Sequence, residues 1–329
     1  MNIGLIGYGG VGKEFIKLLK EKNINCRVKF IIKSDGGLRD DNGIELDEVI
    51  IKENSIKSHK MWIKGLNFMD VIDEELDFLV DLTPTNKRTG EPALTYIKEG
   101  LKRGINVVTG NKGPILIDYH GLKKLADDNG VDLGIGCTTG GALPSINGGL
   151  IDCAGAEIIS IEGILNGTTN YILKEMEKNK ISYKEALKKA QDIGIAETDP
   201  TLDVEGYDTA IKMIILANVL MGSNITLDDV ELEGITKVSL NDIGNASKEG
   251  KKVKLLGQVY RDNGEVKIKV GPSNIDAEHS LYSVDNKNKG VTFESDTLGR
   301  ITIIGGASGT KNAAASILRD IININKKIK

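Results

Sequence analysis

A lysine and a group of carboxylates stand close together past the middle of the sequence. Five acidic side chains fall within twelve residues, namely Glu197, Asp199, Asp203, Glu205 and Asp208. Lys212 follows Asp208 by four residues, so a helix would place both on one face. Such a concentration of negative charge suits an ammonium group or a cation. On spacing alone, the alternatives are solvated charge for the acidic stretch and a surface salt bridge for the Asp208–Lys212 pair.

A glycine-rich motif follows a strand pattern near the start of the chain and opens a helix pattern. In this position Gly7 permits a tight turn, Gly9 lets the backbone approach a pyrophosphate, and Gly12 lets helix and strand pack closely. Free N–H groups at the helix start attract phosphate. The motif therefore predicts dinucleotide binding by the residues Gly7, Gly9, Gly10, Val11 and Gly12; a plain glycine-rich turn is the alternative.

The second strand pattern ends in Ile32-Lys33-Ser34-Asp35, where a dinucleotide-binding domain meets the ribose. No acidic residue stands at the immediate strand end, and Lys33 could meet a 2′-phosphate. This pattern favours NADP over NAD, with a solvated lysine as the alternative.

Two further motifs place polar groups directly after strand patterns. Lys112 lies in Thr109-Gly110-Asn111-Lys112-Gly113-Pro114, where a lysine could reach both cofactor and substrate. The segment Asn166-Gly167-Thr168-Thr169-Asn170 offers polar side chains before a helix pattern. A surface lysine is the alternative for the first motif, and an ordinary loop with a threonine N-cap is the alternative for the second.

The elements that must position these groups form two sets. Strand and helix patterns alternate over about residues 1–135, which predicts an α/β fold with a Rossmann-type doubly wound parallel sheet. The polar stretch 35–60 is expected to carry loops. Later residues predict an α+β substrate and dimerisation domain. We expect domains at 1–135, 136–300 and 301–329, the last returning to the cofactor domain.

Composition excludes several classes of protein. Net charge is −4 with both signs interspersed, which argues against a nucleic-acid surface. No run of about 18 apolar residues exists, so no membrane span is expected. Three unclustered cysteines and a start without a basic signal region fit a cytoplasmic protein. Histidine and cysteine spacing predicts no zinc site.

Taken together, the motifs resemble those of homoserine dehydrogenases over nearly the whole chain. The matching blocks are GYGGVG, DLTPT, TGNKGP, GGALP, GILNGTTNYIL and AQDIGIAETDPTLDVEGYDTAIK, and the last two are long and specific. The resemblance implies reversible NAD(P)-dependent conversion between L-homoserine and L-aspartate 4-semialdehyde, on the route to threonine and methionine. It also implies a homodimer.

The resemblance assigns roles to the polar residues. Lys212 resembles the family's acid/base residue, and Lys112 resembles the second lysine, near nicotinamide and substrate. Asp208 resembles the residue that orients the hydroxyl end of the substrate. Glu197 and Asp203 resemble contacts to the amino acid.

Four further residues resemble cofactor contacts. Thr83 follows the third strand pattern, and Gly110 precedes Lys112. Gly194 resembles a contact to cofactor and substrate. Gly306 belongs to the turn Gly305-Gly306-Ala307-Ser308-Gly309, which resembles a late turn that returns to the cofactor.

The chain departs from the family pattern at two positions. The family's monovalent-cation site uses an acidic side chain where this chain has Gly136, so no metal is expected, although carbonyls of Thr139, Gly141 and Leu143 could coordinate weakly. Ser308 stands where the family tends to have glycine. These departures leave a second hypothesis, a paralogue that oxidises another hydroxy amino acid. A third hypothesis, a nonenzymatic NAD(P)-binding sensor, fits residues 1–135 alone.

Overall fold

The computed structural model describes residues 1–52, 54–72, 75–306 and 308–328. The strands are β1 Asn2–Ile6, β2 Arg27–Lys33, β3 Gly36–Arg39, β4 Trp62–Lys64, β5 Phe78–Asp81, β6 Asn106–Thr109, β7 Leu133–Gly134, β8 Ile158–Ile164, β9 Val230–Leu232, β10 Lys252–Asp262, β11 Glu265–Ile275, β12 Lys289–Ser295 and β13 Gly299–Gly305. The α-helices are α1 Gly10–Glu21, α2 Leu46–Ile51, α3 Ala93–Lys102, α4 Lys112–Asp128, α5 Cys137–Gly140, α6 Ser145–Asn147, α7 Gly167–Asn179, α8 Tyr183–Asp192, α9 Thr201–Val204, α10 Tyr207–Leu220, α11 Leu240–Lys248 and α12 Thr310–Ile328.

The chain divides into two compact units. The first comprises Met1–Gly141 and Gly309–Lys329, and the second comprises Ala142–Ser308. The last helix, α12, therefore belongs to the first unit, where it packs on α1. The domain boundaries expected after residues 135 and 300 stay a prediction.

The first unit is built on a mixed sheet with a parallel centre. Among the described residues, its strand order is β4-β3-β2-β1-β5-β6-β7. Strands β2, β1, β5, β6 and β7 pair in parallel, whereas β3 and β4 pair antiparallel at one edge. The chain passes from β1 to β2 on one side and returns to β5 on the other. A doubly wound sheet binds its ligands at such a switch point, beyond the carboxyl ends of the strands.

Helix α1 forms because its apolar residues recur at helical spacing. Phe15, Leu18 and Leu19 are buried against the sheet, together with residues of α12. Lys20 lies in the last turn, where a positive charge favours the helix end. The sequence predicted this helix and both strands that flank it.

The expectation of loops over 35–60 is wrong for part of that stretch. It contains the edge strand β3 and the short helix α2, whose buried Val49 packs into the core of the first unit. Periodicity misses these elements because each is only four to six residues long.

The second unit contains a mixed sheet covered by helices. Within the described part of the chain, its strand order is β13-β12-β8-β10-β11-β9, and only β9 pairs in parallel with its neighbour. Helix α10 lies against β8, β10 and β11. It is apolar on most sides and buries Ile211, Ile214 and Ile215. This buried helix carries Asp208 and Lys212 in its first two turns.

Across the residues that the structure describes, no helix is both long enough and apolar enough to cross a bilayer.

Candidate active site

A crevice of about 640 Å³ opens at the switch point of the first sheet. It lies beyond the ends of β1, β2 and β5 and is lined by Ile6, Gly7, Tyr8, Gly9, Ile32, Lys33, Ser34, Leu82, Thr83, Pro84, Thr85, Asn86, Glu91, Pro92 and Tyr96. Gly7, Gly9 and Thr83 are thus the predicted cofactor residues that line the crevice. Gly10, Val11 and Gly12 follow in the first turn of α1.

The glycines beside this crevice fit a bound dinucleotide. Gly7 has φ +95°, and a Cβ there would lie 2.4 Å from the Leu82 carbonyl carbon. A Cβ on Gly12 would lie 2.3 Å from the Gly7 carbonyl oxygen. A Cβ on Gly9 would meet no protein atom within 4 Å, so this backbone is open to an approaching group. The residues present therefore form the cradle that a pyrophosphate requires.

A buried network holds the strand ends on the other side of the switch point. The carboxylate of Asp81, at the end of β5, accepts hydrogen bonds from the Thr83 amide at 3.1 Å, the Thr83 hydroxyl at 2.6 Å and the Thr109 hydroxyl at 2.8 Å. Asn111 donates to the Thr83 hydroxyl at 3.0 Å and accepts from the Gly113 amide at 2.9 Å. Asn111 therefore caps α4, and Lys112 is the first residue of that helix.

This network joins Thr83, Gly110 and Lys112 within the first unit. The Gly110 amide donates to the Asp81 carbonyl at 3.0 Å. Asp81 and Asn111 were not among the predicted site residues, although both stand inside the DLTPT and TGNKGP blocks. Their signal was a polar residue at or just beyond the end of a buried strand.

We expect the substitution Asp81→Asn to change how stability depends on pH. Burial raises the pKa of Asp81. The carboxyl group therefore contributes stability below its ordinary pKa of about 4, and this contribution is lost as pH rises through the raised value. Asparagine does not titrate. The free energy of unfolding of the wild type should therefore fall relative to that of Asp81→Asn as pH rises above about 4. Urea unfolding over a pH series measures this difference.

Asp199 offers a matched control for this measurement. It accepts from the Thr201 amide at 3.1 Å and the Thr201 hydroxyl at 2.6 Å, as Asp81 does from Thr83, but it is exposed. The hydrogen bond from Thr201 lowers the pKa of Asp199. The free energy of unfolding of wild type minus that of Asp199→Asn should therefore rise with pH. The expectation would be wrong if the difference in unfolding free energy between wild type and Asp81→Asn stayed constant or rose with pH.

The second unit brings a lysine and two carboxylates around one asparagine. The Lys212 ammonium donates to Asp208 Oδ2 at 2.5 Å and to the Leu165 carbonyl at 2.8 Å. Asn166 Nδ2 donates to Asp203 Oδ1 at 2.6 Å and to Asp208 Oδ2 at 3.0 Å. The side chains of Lys212 and Asp208 are 13% and 17% exposed, so both can still be reached. Asn166 itself is buried; the sequence indicated it only as part of the polar segment 166–170 and gave it no role in the site.

Local structure explains why these groups meet. Asn166 caps α7 by accepting the Thr169 amide at 2.9 Å, which fixes its side chain at the end of β8. Asp203 lies in the short helix α9, and Gly206 with φ +83° lets the chain turn directly into α10. Asp208 and Lys212 then share one face of α10.

The remaining predicted residues lie apart from this cluster or in the other unit. Glu197 is exposed, and its carbonyl accepts from Gln191 at 3.1 Å. Gly194 ends α8 with φ +69° and is exposed. Gly306, with φ +72°, lies so close to Leu143 that a Cβ would come within 2.4 Å of the Leu143 nitrogen. Ala307 of the same turn lies outside the described residues. Lys112 belongs to the first unit and Lys212 to the second.

Gly136, where the resemblance implies a carboxylate, donates its amide to Asp320 Oδ2 of α12 at 2.7 Å. Asp320 also accepts from Arg319 at 3.3 Å. Over the described residues, no group of three or more histidine, cysteine, aspartate or glutamate side chains could hold a metal ion.

Comparison with known proteins gives the same family for both units. The family description "Homoserine dehydrogenase, NAD binding domain" matches residues 7–135, and "Homoserine dehydrogenase" matches 144–322. A homoserine dehydrogenase of Methanocaldococcus jannaschii is 38% identical over the full length of both chains. An NAD(+)-dependent homoserine dehydrogenase of Pseudomonas canavaninivorans is 33% identical, covering 98% of this chain and 96% of its own.

Solved structures agree with this match. A crystal structure from Archaeoglobus fulgidus superposes with a TM-score of 0.88 at 33% identity, covering 98% of this chain and 99% of its own. A homoserine dehydrogenase from Thermoplasma acidophilum gives a TM-score of 0.82 at 25% identity, covering 99% of both chains.

The dinucleotide-binding family match and the Rossmann-type crevice of the first unit identify the protein as an NAD(P)-dependent oxidoreductase. The matches over the whole length make the assignment more specific. The chain belongs to the homoserine dehydrogenase family.

Proposed function

We propose that this chain catalyses the reversible NAD(P)-dependent interconversion of L-homoserine and L-aspartate 4-semialdehyde. The observation that carries the proposal is the cluster in which Lys212, Asp208 and Asp203 are joined through Asn166. It combines a proton-transferring group with carboxylates that suit a substrate ammonium group.

In this proposal Lys212 moves the proton. During oxidation the neutral amine of Lys212 accepts the hydroxyl proton of the substrate and becomes the ammonium, and during reduction the ammonium returns that proton to the carbonyl oxygen. Asp208 and the Leu165 carbonyl orient Nζ, because both accept hydrogen bonds from it. Asp203 and Glu197 hold the amino group of the substrate.

The first unit holds the dinucleotide in this proposal, and Lys112 stands near nicotinamide and substrate. When bound, the dinucleotide supplies the nicotinamide C4 that accepts or donates the hydride. Gly7, Gly9 and the first turn of α1 bind its pyrophosphate, while Gly110, Gly194 and Gly306 border it. Thr83, held by Asp81 and Asn111, contacts it at the end of β5.

The test is hydride transfer by the purified full chain. L-homoserine is incubated with NAD⁺ or NADP⁺ at alkaline pH, and L-aspartate 4-semialdehyde with either reduced dinucleotide. Absence of turnover with both dinucleotides would overturn the proposal. A panel of other hydroxy amino acids is run beside it, and faster turnover of one of them would favour the paralogue hypothesis.

We also propose that the cofactor preference is for NADP. Lys33 and Ser34 line the crevice at the end of β2, where the adenosine ribose would lie. The nearest acid along the chain, Asp35, forms an ion pair with Lys57. A positive side chain at the ribose favours a 2′-phosphate over a 2′-hydroxyl.

Lys33→Ala should therefore weaken NADP binding selectively. Loss of one charge-assisted contact, worth about 1.5 kcal/mol, should raise the Kd for NADP about tenfold. The Kd for NAD should stay within about twofold, since its hydroxyl needs no cation. Both values are measured by titration, with Lys64→Ala on the exposed edge strand β4 as the control. An equal effect on both dinucleotides would argue that Lys33 makes no 2′-phosphate contact.

We further propose a cytoplasmic homodimer that does not require a tightly bound monovalent cation. The family resemblance supports the dimer, and glycine at position 136 supports the weak cation dependence. Light scattering after size-exclusion chromatography measures the oligomeric state. Activity assays in sodium, potassium and a large organic cation measure how far turnover depends on the monovalent cation.

A further inference from the structure

A lysine is completely buried on strand β10, away from the cluster described above. Lys254 is 2% exposed, and its ammonium donates to Asn170 Oδ1 at 2.8 Å, the Val284 carbonyl at 2.6 Å and Asp285 Oδ1 at 2.8 Å. All three ammonium donors are thus used. A buried charge is tolerated only with such partners, so the arrangement depends on each of them.

Asp285 carries the negative charge that balances Lys254, and it also contacts two further lysines. Its second oxygen accepts from Lys252 at 2.9 Å, and Lys174 lies 3.5 Å away. Burial disfavours the charged carboxylate, but the hydrogen bonds from Lys254 and Lys252 outweigh it and lower its pKa to about 2. Asp285 is therefore ionised at neutral pH and remains partnered even if one lysine is removed.

Asn170 connects this charge pair to a loop of backbone carbonyls. While its Oδ1 accepts from Lys254, its Nδ2 is shared among the carbonyls of Val284, Asn286 and Asn288 at 3.1, 3.1 and 3.3 Å. Asn170 is 1% exposed. Its side chain thereby fixes the first turns of α7 to the segment 284–288.

The same turn of α7 carries Asn166 at its N-cap. The Asn170 amide donates to the Asn166 carbonyl, and the Thr169 amide donates to Asn166 Oδ1. The Nδ2 group of Asn166 donates its two protons to Asp203 and Asp208. One helical turn therefore links the buried lysine to the carboxylate that holds Lys212.

We propose that Lys254, Asp285 and Asn170, the buried-lysine cluster, are positioning residues for the reaction. They lock the first turn of α7 so that Asn166 keeps Asp203 and Asp208 in place. This inference rests on the proposed function, because its effect is on turnover of L-homoserine. The cluster touches neither substrate nor reacting atoms and acts only through Asn166.

Two lysine variants of the full chain test the proposal. Lys254→Met removes the contact with Asn170, whereas Lys252→Met removes contacts to Asp285, the Tyr282 carbonyl and the face of the Tyr282 ring and leaves Asn170 untouched. Lys254→Met should lower kcat for L-homoserine at least about tenfold, since small misplacements of catalytic groups cost up to about 100-fold. The KM for the dinucleotide should stay within about twofold. Lys252→Met should keep kcat within about threefold.

Hydrogen exchange gives a readout independent of turnover. The amides at 168–170 should exchange faster in Lys254→Met than in Lys252→Met, because local opening is no longer restrained. Circular dichroism at the assay temperature establishes that the variants are folded. If Lys254→Met does not fold, Asn170→Ala takes its place with the same expected loss of kcat and unchanged dinucleotide KM, because it removes the contacts to Lys254 and to the carbonyls of residues 284, 286 and 288 but leaves Lys254 paired with Asp285.

The outcomes separate the two proposals. If the wild type turns over L-homoserine and folded Lys254→Met has an unchanged kcat, the positioning role is overturned. The proposed function is then left intact. Equal losses in Lys254→Met and Lys252→Met would also overturn it, because general stabilisation would then explain both. Wild type without turnover would overturn both proposals.

Discussion

Replacing Lys212 with alanine should lower kcat for L-homoserine oxidation about 1,000-fold, in the middle of the range for general acid–base residues. The loss should appear in kcat and kcat/KM alike, because the proton moves only in the transition state. The dinucleotide Kd should be unchanged. Stopped-flow or steady-state production of reduced dinucleotide measures the first effect, and titration measures the second.

The physical basis is the placement of Nζ. Alanine removes the ammonium group that Asp208 Oδ2 and the Leu165 carbonyl hold at 2.5 and 2.8 Å. It leaves Asp208 with Asn166 as a hydrogen-bond donor, so the carboxylate stays paired. Helix α10 keeps its apolar contacts, and alanine favours a helix interior. Loss of activity would therefore reflect chemistry and not unfolding.

Lys188 offers a matched control on helix α8. It pairs with Asp192 at 2.5 Å with the same four-residue spacing, but both side chains are more than half exposed. Lys188→Ala should leave kcat within about twofold, since exposed pairs contribute little. A Lys212→Ala enzyme that keeps more than a tenth of the wild-type kcat would refute the acid/base role.

Contiguous motifs account for the parts of the site that could be predicted. The turn from β1 into α1 needs only local backbone geometry, and Gly7, Gly9 and Gly12 lie within six residues of each other. The regular apolar period that ends before Gly104 predicts a helix over Ala93–Lys102, and α3 has those bounds. The pairing of Asp208 with Lys212 followed from helical spacing alone.

The residues that hold these groups were missed because they act across the chain. Asp81 meets Thr109 only when β5 and β6 pair, and Asn166 meets Asp203 only when α9 packs beside α7. Lys254 sits in a strand pattern, Lys-Val-Lys-Leu-Leu, whose charged residues suggest a solvent face. Its burial depends on Asp285, which is 31 residues away. Local periodicity carries no signal for such partners.

Three further elements were missed in whole or in part. The sequence pattern indicates a helix only from Leu122, ten residues after α4 begins, and it indicates neither helix α11 nor strand β12. The φ/ψ values of Asp118 interrupt α4, and its apolar residues do not follow one face. The start of α4 matters for the proposed function, because it places Lys112 at the N-terminus of a helix capped by Asn111.

Gly9→Ala should weaken dinucleotide binding about 100-fold, or about 2.7 kcal/mol, and leave folding unaffected. Gly9 has φ −88° and ψ −157°, an extended conformation with the negative φ that alanine requires. Its Cβ would meet no protein atom within 4 Å. That open space is where the pyrophosphate is expected to approach the backbone, so the added methyl group would displace the ligand and not the protein. Titration with reduced dinucleotide measures the Kd, and thermal unfolding without ligand measures stability.

Two other glycines make this result interpretable. Gly244, in α11 of the second unit, also has no protein atom within 4 Å of a Cβ, so Gly244→Ala should change neither the Kd nor, beyond a slight gain from helix propensity, the stability. Gly12→Ala would drive its Cβ to 2.3 Å from the Gly7 carbonyl oxygen, so it should lower stability as well as affinity. Only Gly9→Ala should lower the affinity for the dinucleotide without lowering the stability. Wild-type affinity in a folded Gly9→Ala protein would mean that the pyrophosphate does not pass over Gly9, and the cofactor would then have to be held by Thr83 and the far wall of the crevice.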